Sequence, residues 1–115
     1  MPLNFVCRTV TLEQVLRCSF GLNKTEISIL RHLLYQKEEE NIEEIMKQVK
    51  KDRTTIQRGV KRLFQKELLK RRQLNLKDGG YVFIYSARPK AELKEKNNKI
   101  FHTFQEMVGA EIQKW

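Results

Sequence analysis

The chain is poor in the residues that build metal sites and disulfide frameworks. Its 115 residues include two cysteines and two histidines, and no two of these stand at Cys-x-x-Cys or His-x-x-x-His spacing. Structural zinc sites and disulfide scaffolds use such pairs, so we expect no metal and no disulfide. Cys7 is predicted to be an exposed thiol near a flexible N-terminus, and Cys18 a small buried residue. Redox control through Cys7 stays open as an alternative.

Long apolar runs and glycine-rich phosphate loops are missing as well. No apolar stretch approaches the roughly 18 residues that a membrane span requires, and the N-terminal segment has no charged region followed by an apolar core, as a secretory signal would. His32 stands among apolar residues, where a partly buried structural role is expected, and His102 lies between Phe101 and Phe104. Neither histidine has an evident nucleophile beside it. We therefore expect a cytoplasmic protein that is not an enzyme, needs no cofactor and binds no membrane.

Acidic residues are scarce in one third of the chain. From Lys47 to Lys77 there are twelve Lys and Arg but only two acids, a local net charge of +10, whereas the whole chain carries +9. A surface built only for solubility would mix the two signs along the chain. The concentrated positive charge therefore predicts an anionic partner. The length and the 40% hydrophobic content fit one globular domain.

Capping residues and apolar periodicity predict two helices in the first third of the chain. Thr11 caps a shorter helix that ends at Phe20. Asn23 caps a second helix, and Glu26 stands at the capping-box position three residues later. The acidic run Glu38–Glu40 is predicted to end this second helix.

Two further helices are joined by a very short connection. Asn41 is the predicted cap of the third helix and Asp52 that of the fourth, with only KKDR around the junction. Helices of about eight and fourteen residues so connected predict a helix-turn-helix over about residues 41–66. Gly59 adjoins the apolar side of the fourth helix, and we expect its missing side chain to let the third helix approach closely.

A change of periodicity follows the helix-turn-helix. RRQLNLK alternates polar and apolar residues, DGG supplies a turn, and YVFIYSA is rich in aromatic and β-branched residues. This pattern predicts a β-hairpin, or wing, over about residues 71–87. The predicted fold class is α+β, mainly α: a winged helix-turn-helix domain over residues 1–88, followed by an additional C-terminal dimerisation helix over residues 89–115.

The fourth helix has an apolar face and a basic face. At about 100° per residue, Ile56, Val60 and Leu63 cluster on one side, and Thr, Gln, Arg and Lys face outward. These outward residue types hydrogen-bond to base edges and phosphates, and the major groove admits one helix. The alternative is an ordinary solvated helix surface. The predicted DNA-binding residues of helix and wing are Arg53, Thr54, Thr55, Gln57, Arg58, Lys61, Arg62, Lys70, Arg71, Arg72 and Lys77.

The segment from Gly21 to Pro89 resembles the archaeal TrmB-like and MarR-like winged-helix transcription regulators. The resemblance rests on GLNKTEISIL, on the DRTTIQRGVKRLFQKELL block and on a hairpin that ends in YSARP. The start of the recognition helix follows the family pattern through Arg53, Thr54, Thr55 and Ile56. Glu67 stands where these families usually have glycine. The wing tip is KDGG, which departs from the MarR-type Asp-x-Arg signature and favours the TrmB-like proteins.

The resemblance implies a sequence-specific transcription regulator that binds double-stranded DNA. The recognition helix, residues 53–66, would lie in the major groove, and the basic wing would contact the backbone. The sugar-binding extension of larger TrmB-like proteins has no counterpart, and the sequence identifies no small-molecule effector. The rival interpretation is a winged helix that binds protein or RNA as an adaptor in a transcription or processing complex, since winged helices also serve that purpose.

The C-terminal segment carries more apolar residues than docking onto a small body requires. We expect it to form the interface of a two-fold homodimer, with the alternative that it folds back on the Thr11–Phe20 helix. A dimer would suit DNA binding, because two half-sites multiply the specificity of one short recognition helix. The predicted interface residues are Leu93, Ile100, Phe101, Phe104, Met107, Val108, Ile112 and Trp115.

Overall fold

The computed structural model describes residues 3–36 and 38–115 and has an α+β fold that is mainly helical. Within these residues the elements are, in chain order, β1 (Leu3–Asn4), β2 (Thr9–Val10), α1 (Leu12–Phe20), α2 (Lys24–Tyr35), α3 (Ile42–Val49), α4 (Arg53–Gln65), β3 (Leu69–Asn75), β4 (Tyr81–Ala87) and α5 (Lys90–Gln113). They form two compact units, residues 22–88 and a second unit in which the segment through Gly21 joins the segment from Pro89 onward. The predicted winged helix is therefore confirmed, and residues 22–88 contain it.

Four of the helices begin at the caps that the sequence predicts. Thr11 and Asn23 form capping boxes at α1 and α2, Asn41 forms one at α3, and the Asp52 side chain accepts a hydrogen bond from the backbone of Thr55 at α4. Such caps satisfy backbone N–H groups that have no partner inside the helix. The helix-turn-helix consists of α3 and α4, with eight and thirteen residues.

The core of the 22–88 unit is made by the apolar faces of its three helices and the start of the wing. Ile29 of α2, Ile45 of α3 and Ile56 of α4 are fully buried. Gly59 lies against α2, because a Cβ at this position would meet Ile29 Cδ1 at 2.8 Å. The expectation that Gly59 accommodates α3 is therefore wrong; the close approach is with α2.

The wing is an antiparallel hairpin in which Leu69 pairs with Ala87 and Asn75 pairs with Tyr81. Its tip includes Gly79 and Gly80, both with positive φ, as a tight turn requires. Glu67, in the turn between α4 and β3, has a φ of 61°. Glycine adopts this left-handed conformation more readily than any other residue.

The acidic run does not end α2. That helix stops at Tyr35, with Gln36 as its C-cap, and Lys37, which the predicted helix included, lies outside the described residues. Glu40 instead pairs with Tyr85 of β4 through two backbone hydrogen bonds of 2.8 and 2.9 Å. Its buried carboxylate contacts His32 Nε2 at 2.6 Å, which gives this histidine the structural role predicted for it. The last residue of the acidic run, Glu40, thus forms an antiparallel β-bridge to strand β4 of the wing.

The second unit contains a small hairpin that the sequence analysis did not predict. β1 and β2 pair antiparallel, with Leu3 opposite Val10. Two-residue strands carry too little periodicity to be recognised from sequence. Cys7 lies between these strands and is exposed, as expected, but Cys18 on α1 is exposed as well. The prediction that Cys18 is buried is wrong, because the buried residue near the end of α1 is Phe20.

Candidate nucleic-acid interface

The outward face of α4 is held in place by the burial of its opposite face. Ile56, Val60 and Leu63 are almost completely buried, whereas Gln57, Arg58 and Lys61 are exposed. Thr54 is also exposed, and Thr55 is half-buried near the cap. The helical spacing therefore places the predicted base-reading side chains on the solvent side of a rigid, well-packed helix.

The cap of α4 is a charged one. Asp52 Oδ1 accepts a hydrogen bond of 3.0 Å from the Thr55 backbone N–H. Hydrogen bonds from the Thr55 side chain and backbone hold the pKa of Asp52 below its ordinary value, and the nearby charge of Arg58 acts in the same direction. The carboxylate also complements the positive end of the helix dipole.

Two cations of the outward face, Arg58 and Lys61, form no ion pair in the described part of the chain. Within residues 3–36 and 38–115, neither Arg58 nor Lys61 has a carboxylate within ion-pair distance. Their hydrogen-bond donors can therefore be given to a ligand without first breaking a protein contact. A guanidinium and an ammonium beside the Gln57 amide make a set that suits base edges and phosphates.

Three other predicted DNA-binding arginines are held by glutamates. Arg53 Nη2 lies 2.9 Å from Glu43 Oε1, and both side chains are largely exposed. Arg72 makes a two-pronged contact with Glu39, at 3.1 and 3.3 Å, and this pairing raises the pKa of Arg72. Exposed pairs of this kind are weak, so a phosphate can replace the glutamate.

Arg62 differs from these two because its partner is buried. Its Nη1 lies 3.2 Å from Oε2 of Glu26, whose side chain is 1% exposed. Glu26 is also the capping-box residue of α2 and accepts a hydrogen bond from the Asn23 backbone. Releasing Arg62 to DNA would leave a buried carboxylate without its cation, which is costly. The geometry favours a structural role for Arg62 in joining α4 to α2.

Arg71 connects the wing to α4. Its Cζ lies 4.2 Å from the ring centroid of Phe64 on α4 and 4.2 Å from that of Phe83 on β4. Such cation–π contacts are worth on the order of 0.5–1 kcal/mol each at exposed sites. This cluster cannot be predicted from sequence, because Phe64 and Phe83 stand nineteen residues apart and only the fold brings them together.

The basic residues of the wing do not form one continuous surface. Lys70, Arg71 and Arg72 are consecutive residues of β3, so their side chains alternate between the two faces of the hairpin. Arg71 contacts the α4 side through Phe64, and Arg72 contacts Glu39. Lys70 and Lys77 are exposed and form no ion pair within the described part of the chain.

The predicted dimer surface lies on α5 in the second unit. Every residue from 100 to 115 is exposed in the single chain. Seven large apolar side chains of this stretch are between 36% and 99% exposed: Ile100, Phe101, Phe104, Met107, Val108, Ile112 and Trp115. Leu93 is different, because it is buried within the chain's own second unit, where α5 packs against α1.

A helix-turn-helix followed by a hairpin wing defines the class of winged-helix proteins, and in this chain the outward face of α4 is basic. The chain belongs to the DnaD N-terminal domain family, whose model matches residues 11–108. The described residues contain no helix that is long and apolar enough to cross a membrane.

Two uncharacterized proteins of Methanocaldococcus jannaschii are similar in sequence. One is 33% identical over 109 residues, which cover 95% of this chain and 79% of the relative. The other is 38% identical over 77 residues, which cover 67% of this chain and 62% of the relative.

Two solved structures have a similar fold. A possible transcriptional regulator from Methanosarcina mazei Go1 superposes with a TM-score of 0.93 and 31% identity, covering 100% of this chain and 97% of that one. A protein from the thermoacidophilic archaeon Sulfolobus tokodaii superposes with a TM-score of 0.70 and covers 84% of this chain and 93% of its own. At 15% identity, the second likeness concerns the fold alone.

Proposed function

We propose that the protein is a transcription regulator that binds specific sequences of double-stranded DNA. In this proposal α4 enters the major groove and the wing contacts the backbone. The observation that carries it is the outward face of α4, on which Gln57, Arg58 and Lys61 are exposed and the two cations form no ion pair within the described residues. A face built only for solubility would carry acids among its cations, whereas α4 contains no acidic residue.

The comparisons support the regulatory part of this proposal. The structure from Methanosarcina mazei that matches the whole chain is a possible transcriptional regulator. The finer assignment to the TrmB-like or MarR-like regulators rests on the recognition-helix residues Arg53–Ile56 and on the left-handed turn at Glu67. We also propose a non-enzymatic role in the cytoplasm. His32 is engaged by Glu40, and the excess positive charge lies in the segment from Lys47 to Lys77, which suits an anionic partner.

We also propose that the active form is a homodimer that uses the exposed apolar row of α5. Contiguous apolar surface of this kind on a soluble protein generally marks a protein interface. A two-fold dimer would present two α4 helices to two half-sites about 34–36 Å apart, one turn of DNA. The single recognition helix would read only a few base pairs.

A winged-helix adaptor that binds protein or RNA is the alternative. An adaptor would be expected to carry an apolar patch on the outward face of its recognition helix. On α4 that face carries Thr54, Arg58 and Lys61 instead. Duplex RNA has a major groove too narrow for a helix, so a preference for duplex DNA over duplex RNA separates the two functions.

The test is binding-site selection with purified protein, followed by fluorescence anisotropy on selected DNA, on scrambled DNA and on duplex RNA. We expect enrichment of a palindromic site, weaker binding to scrambled DNA and little binding to duplex RNA. If each subunit neutralises about four phosphates, the slope of log K against log salt is about −7 for the dimer. A slope near zero, or equal binding to RNA and DNA, contradicts the proposal.

A further inference from the structure

The acidic run before the helix-turn-helix adjoins the basic segment in sequence. Five of the seven residues from 38 to 44 are glutamates, and the segment with a net charge of +10 begins three residues later. Glu40 is buried and Glu44 closes the capping box of α3, so these two glutamates have roles in the fold. Glu39 and Glu43 are exposed, and each holds one arginine of the predicted DNA-binding surface. The fold thus brings two carboxylates into a surface whose proposed function requires positive charge.

The position of Glu39 beside the wing is fixed by its neighbour in sequence. Glu40 forms a β-bridge to Tyr85, which also pairs with Arg71 of β3, so β4 lies between Glu40 and β3. Arg72 of β3 reaches across β4 to Glu39, with Nη2 3.1 Å from Oε1 and Nε 3.3 Å from Oε2. A two-pronged contact of this kind orients the guanidinium as well as attracting it. In the free protein Arg72 is therefore directed toward the loop that precedes α3.

The second pair stands at the start of α4. Arg53 is the first residue of that helix, and its Nη2 lies 2.9 Å from Oε1 of Glu43 in the first turn of α3. Both side chains are largely exposed, so water solvates both charges when the pair opens. Arg62 differs, because opening its pair with the buried Glu26 leaves a carboxylate without its cation inside the protein. The pairs of Arg53 and Arg72 can therefore exchange their anion at low cost, and the pair of Arg62 cannot.

We propose that Glu39 and Glu43 are intramolecular competitors of DNA phosphates, which lower the affinity of the protein for every DNA sequence by the same factor. In the free protein their carboxylates occupy Arg72 and Arg53, and on DNA a phosphate takes the place of each carboxylate. Exchanging one anion for another gains less free energy than binding a phosphate to an unoccupied arginine. Because phosphates carry no sequence information, the competition reduces non-specific occupancy without changing the ratio of specific to non-specific affinity. The inference rests on the proposed DNA-binding function.

The sign of the effect of removing a glutamate decides the proposal. In the full chain, Glu39→Gln and Glu43→Gln should each raise the affinity for selected and for scrambled duplex DNA about threefold per bound subunit, hence about tenfold for a dimer. The slope of log K against log salt should become steeper by up to about 2 for a dimer, because the glutamate that wild type releases takes up a cation from solution. Fluorescence anisotropy at several salt concentrations measures both quantities. Glutamates that instead position the arginines for DNA would lower the affinity when removed, so a fall or no change overturns the proposal.

Glu38→Gln is the matched control for net charge. Glu38 is exposed, stands next to Glu39 in sequence and forms no ion pair within residues 3–36 and 38–115. Its replacement changes the charge of the chain by the same amount, but solvent and salt screen a charge that holds no arginine. We expect the affinity to rise by less than about 1.5-fold per subunit. Equal gains from Glu38→Gln and Glu39→Gln would show that net charge sets the affinity, and would overturn the proposal.

A double-mutant cycle tests whether Glu39 acts through Arg72. In an Arg72→Gln background, Glu39→Gln should give no further gain in DNA affinity, because no arginine remains for the glutamate to occupy. The full gain in that background overturns the exchange. Wild type that binds DNA as tightly as Glu39→Gln and Glu43→Gln removes the competition and leaves the proposed function standing. A wild type and variants that all fail to bind duplex DNA at low salt remove the proposed function, and the competition with it.

Discussion

The outward face of α4 and the second half of α5 are both exposed, but the first is polar and charged and the second is largely apolar. On α4 the exposed residues are Thr, Gln, Arg and Lys, and on α5 the exposed residues from Ile100 to Trp115 include seven large apolar side chains. Charged side chains are stable in water and need no partner to remain there. Burying apolar surface gains about 25 cal/mol of free energy for each Å² removed from water. The exposed apolar side chains of α5 therefore predict that a second protein surface covers them.

Exposure alone therefore does not identify the kind of partner that a surface binds. The basic face is complementary to a polyanion, for which desolvation is small and salt dependence is large. The apolar row is complementary to another apolar surface, for which salt has little effect and burial dominates. The following changes test whether the two surfaces differ as sharply as their composition indicates.

The largest effect is expected from placing charge in the apolar row. If the proposed dimer forms, Phe101→Asp combined with Phe104→Asp should convert it to a monomer, because two aromatic anchors together account for roughly a thousandfold in dissociation constant. Sedimentation equilibrium at micromolar concentration measures the change. Affinity for a palindromic site should fall with it, while affinity for a half-site should not.

The matched control for this variant places the same charges on the polar side of α5. Ala110→Asp with Gln113→Asp adds two acids at exposed positions on the side of the helix opposite the apolar row. This control should remain dimeric. A monomeric wild-type protein, or a double-phenylalanine variant that stays dimeric, would show that the apolar row is not the interface.

The second largest effect separates base contacts from backbone contacts within the basic surface. Arg58→Ala and Gln57→Ala should relax sequence preference, since a lost base contact costs about 1–3 kcal/mol on the specific site only. Lys70→Ala and Lys77→Ala should weaken all sequences alike and lower the salt slope by about 1 per lost phosphate contact in each subunit. Competition anisotropy with specific and scrambled DNA measures both. Identical behaviour of the two pairs contradicts the assignment of faces.

The sequence predicts the elements of this surface better than its contacts. The helix caps Asn41 and Asp52 and the turn of the wing are each determined by a few neighbouring residues. The structure has these caps and this turn where the sequence predicts them. The pairing of Arg62 with Glu26 joins residues thirty-six positions apart. No local periodicity encodes such a pair, and the fold must be known before it can be seen.

The same limit explains two of the wrong predictions. Gly59 was correctly identified as a point of close approach, but the helix that approaches is α2, because the order of elements in sequence does not give their order in space. The sequence predicts that Glu40 belongs to a run that ends α2. In the structure Glu40 is buried beside His32 and forms a β-bridge to Tyr85 of the wing. Both outcomes depend on tertiary contacts that override local preference.

A third, smaller effect compares two glycines in the interiors of α4 and α5. Gly59→Ala would bring a Cβ to 2.8 Å from Ile29 Cδ1 in a fully buried site, whereas a Cβ at Gly109 meets nothing within 4 Å. Gly109→Ala should stabilise α5 by up to about 1 kcal/mol through helix propensity. Gly59→Ala gains the same propensity, but the variant should still lose up to about 2 kcal/mol of stability, because overpacking costs roughly 1–3 kcal/mol.

Urea unfolding followed by circular dichroism measures these free energies. Ile29→Val removes the Cδ1 atom that Gly59→Ala would meet, so the double variant should be more stable than the sum of the single effects predicts. Strict additivity would show that this contact is not the cause. Equal effects of the two glycine substitutions would mean that α4 and α5 are packed alike in solution.

The smallest effect concerns acid, and it too should distinguish the two regions. The cap of α4 is the carboxylate of Asp52, whereas α1 is capped by Thr11 and Gln14, neither of which titrates. Hydrogen bonds from Thr55 lower the pKa of Asp52 in the folded state. The contribution of the Asp52 carboxylate to stability is therefore present above the ordinary aspartate pKa of 3.8 and is lost as the pH falls through the lower pKa of the folded state.

The backbone N–H of Thr55 should therefore shift with a midpoint below pH 3.8 in an NMR titration, and the N–H of Gln14 should not shift with it. Asp52→Asn keeps an acceptor at the cap but cannot ionise, so it should abolish the titration of the Thr55 signal while α4 remains folded. A Thr55 midpoint at or above 3.8, or an equal response at Gln14, would mean that the charge of Asp52 does not hold the start of the recognition helix.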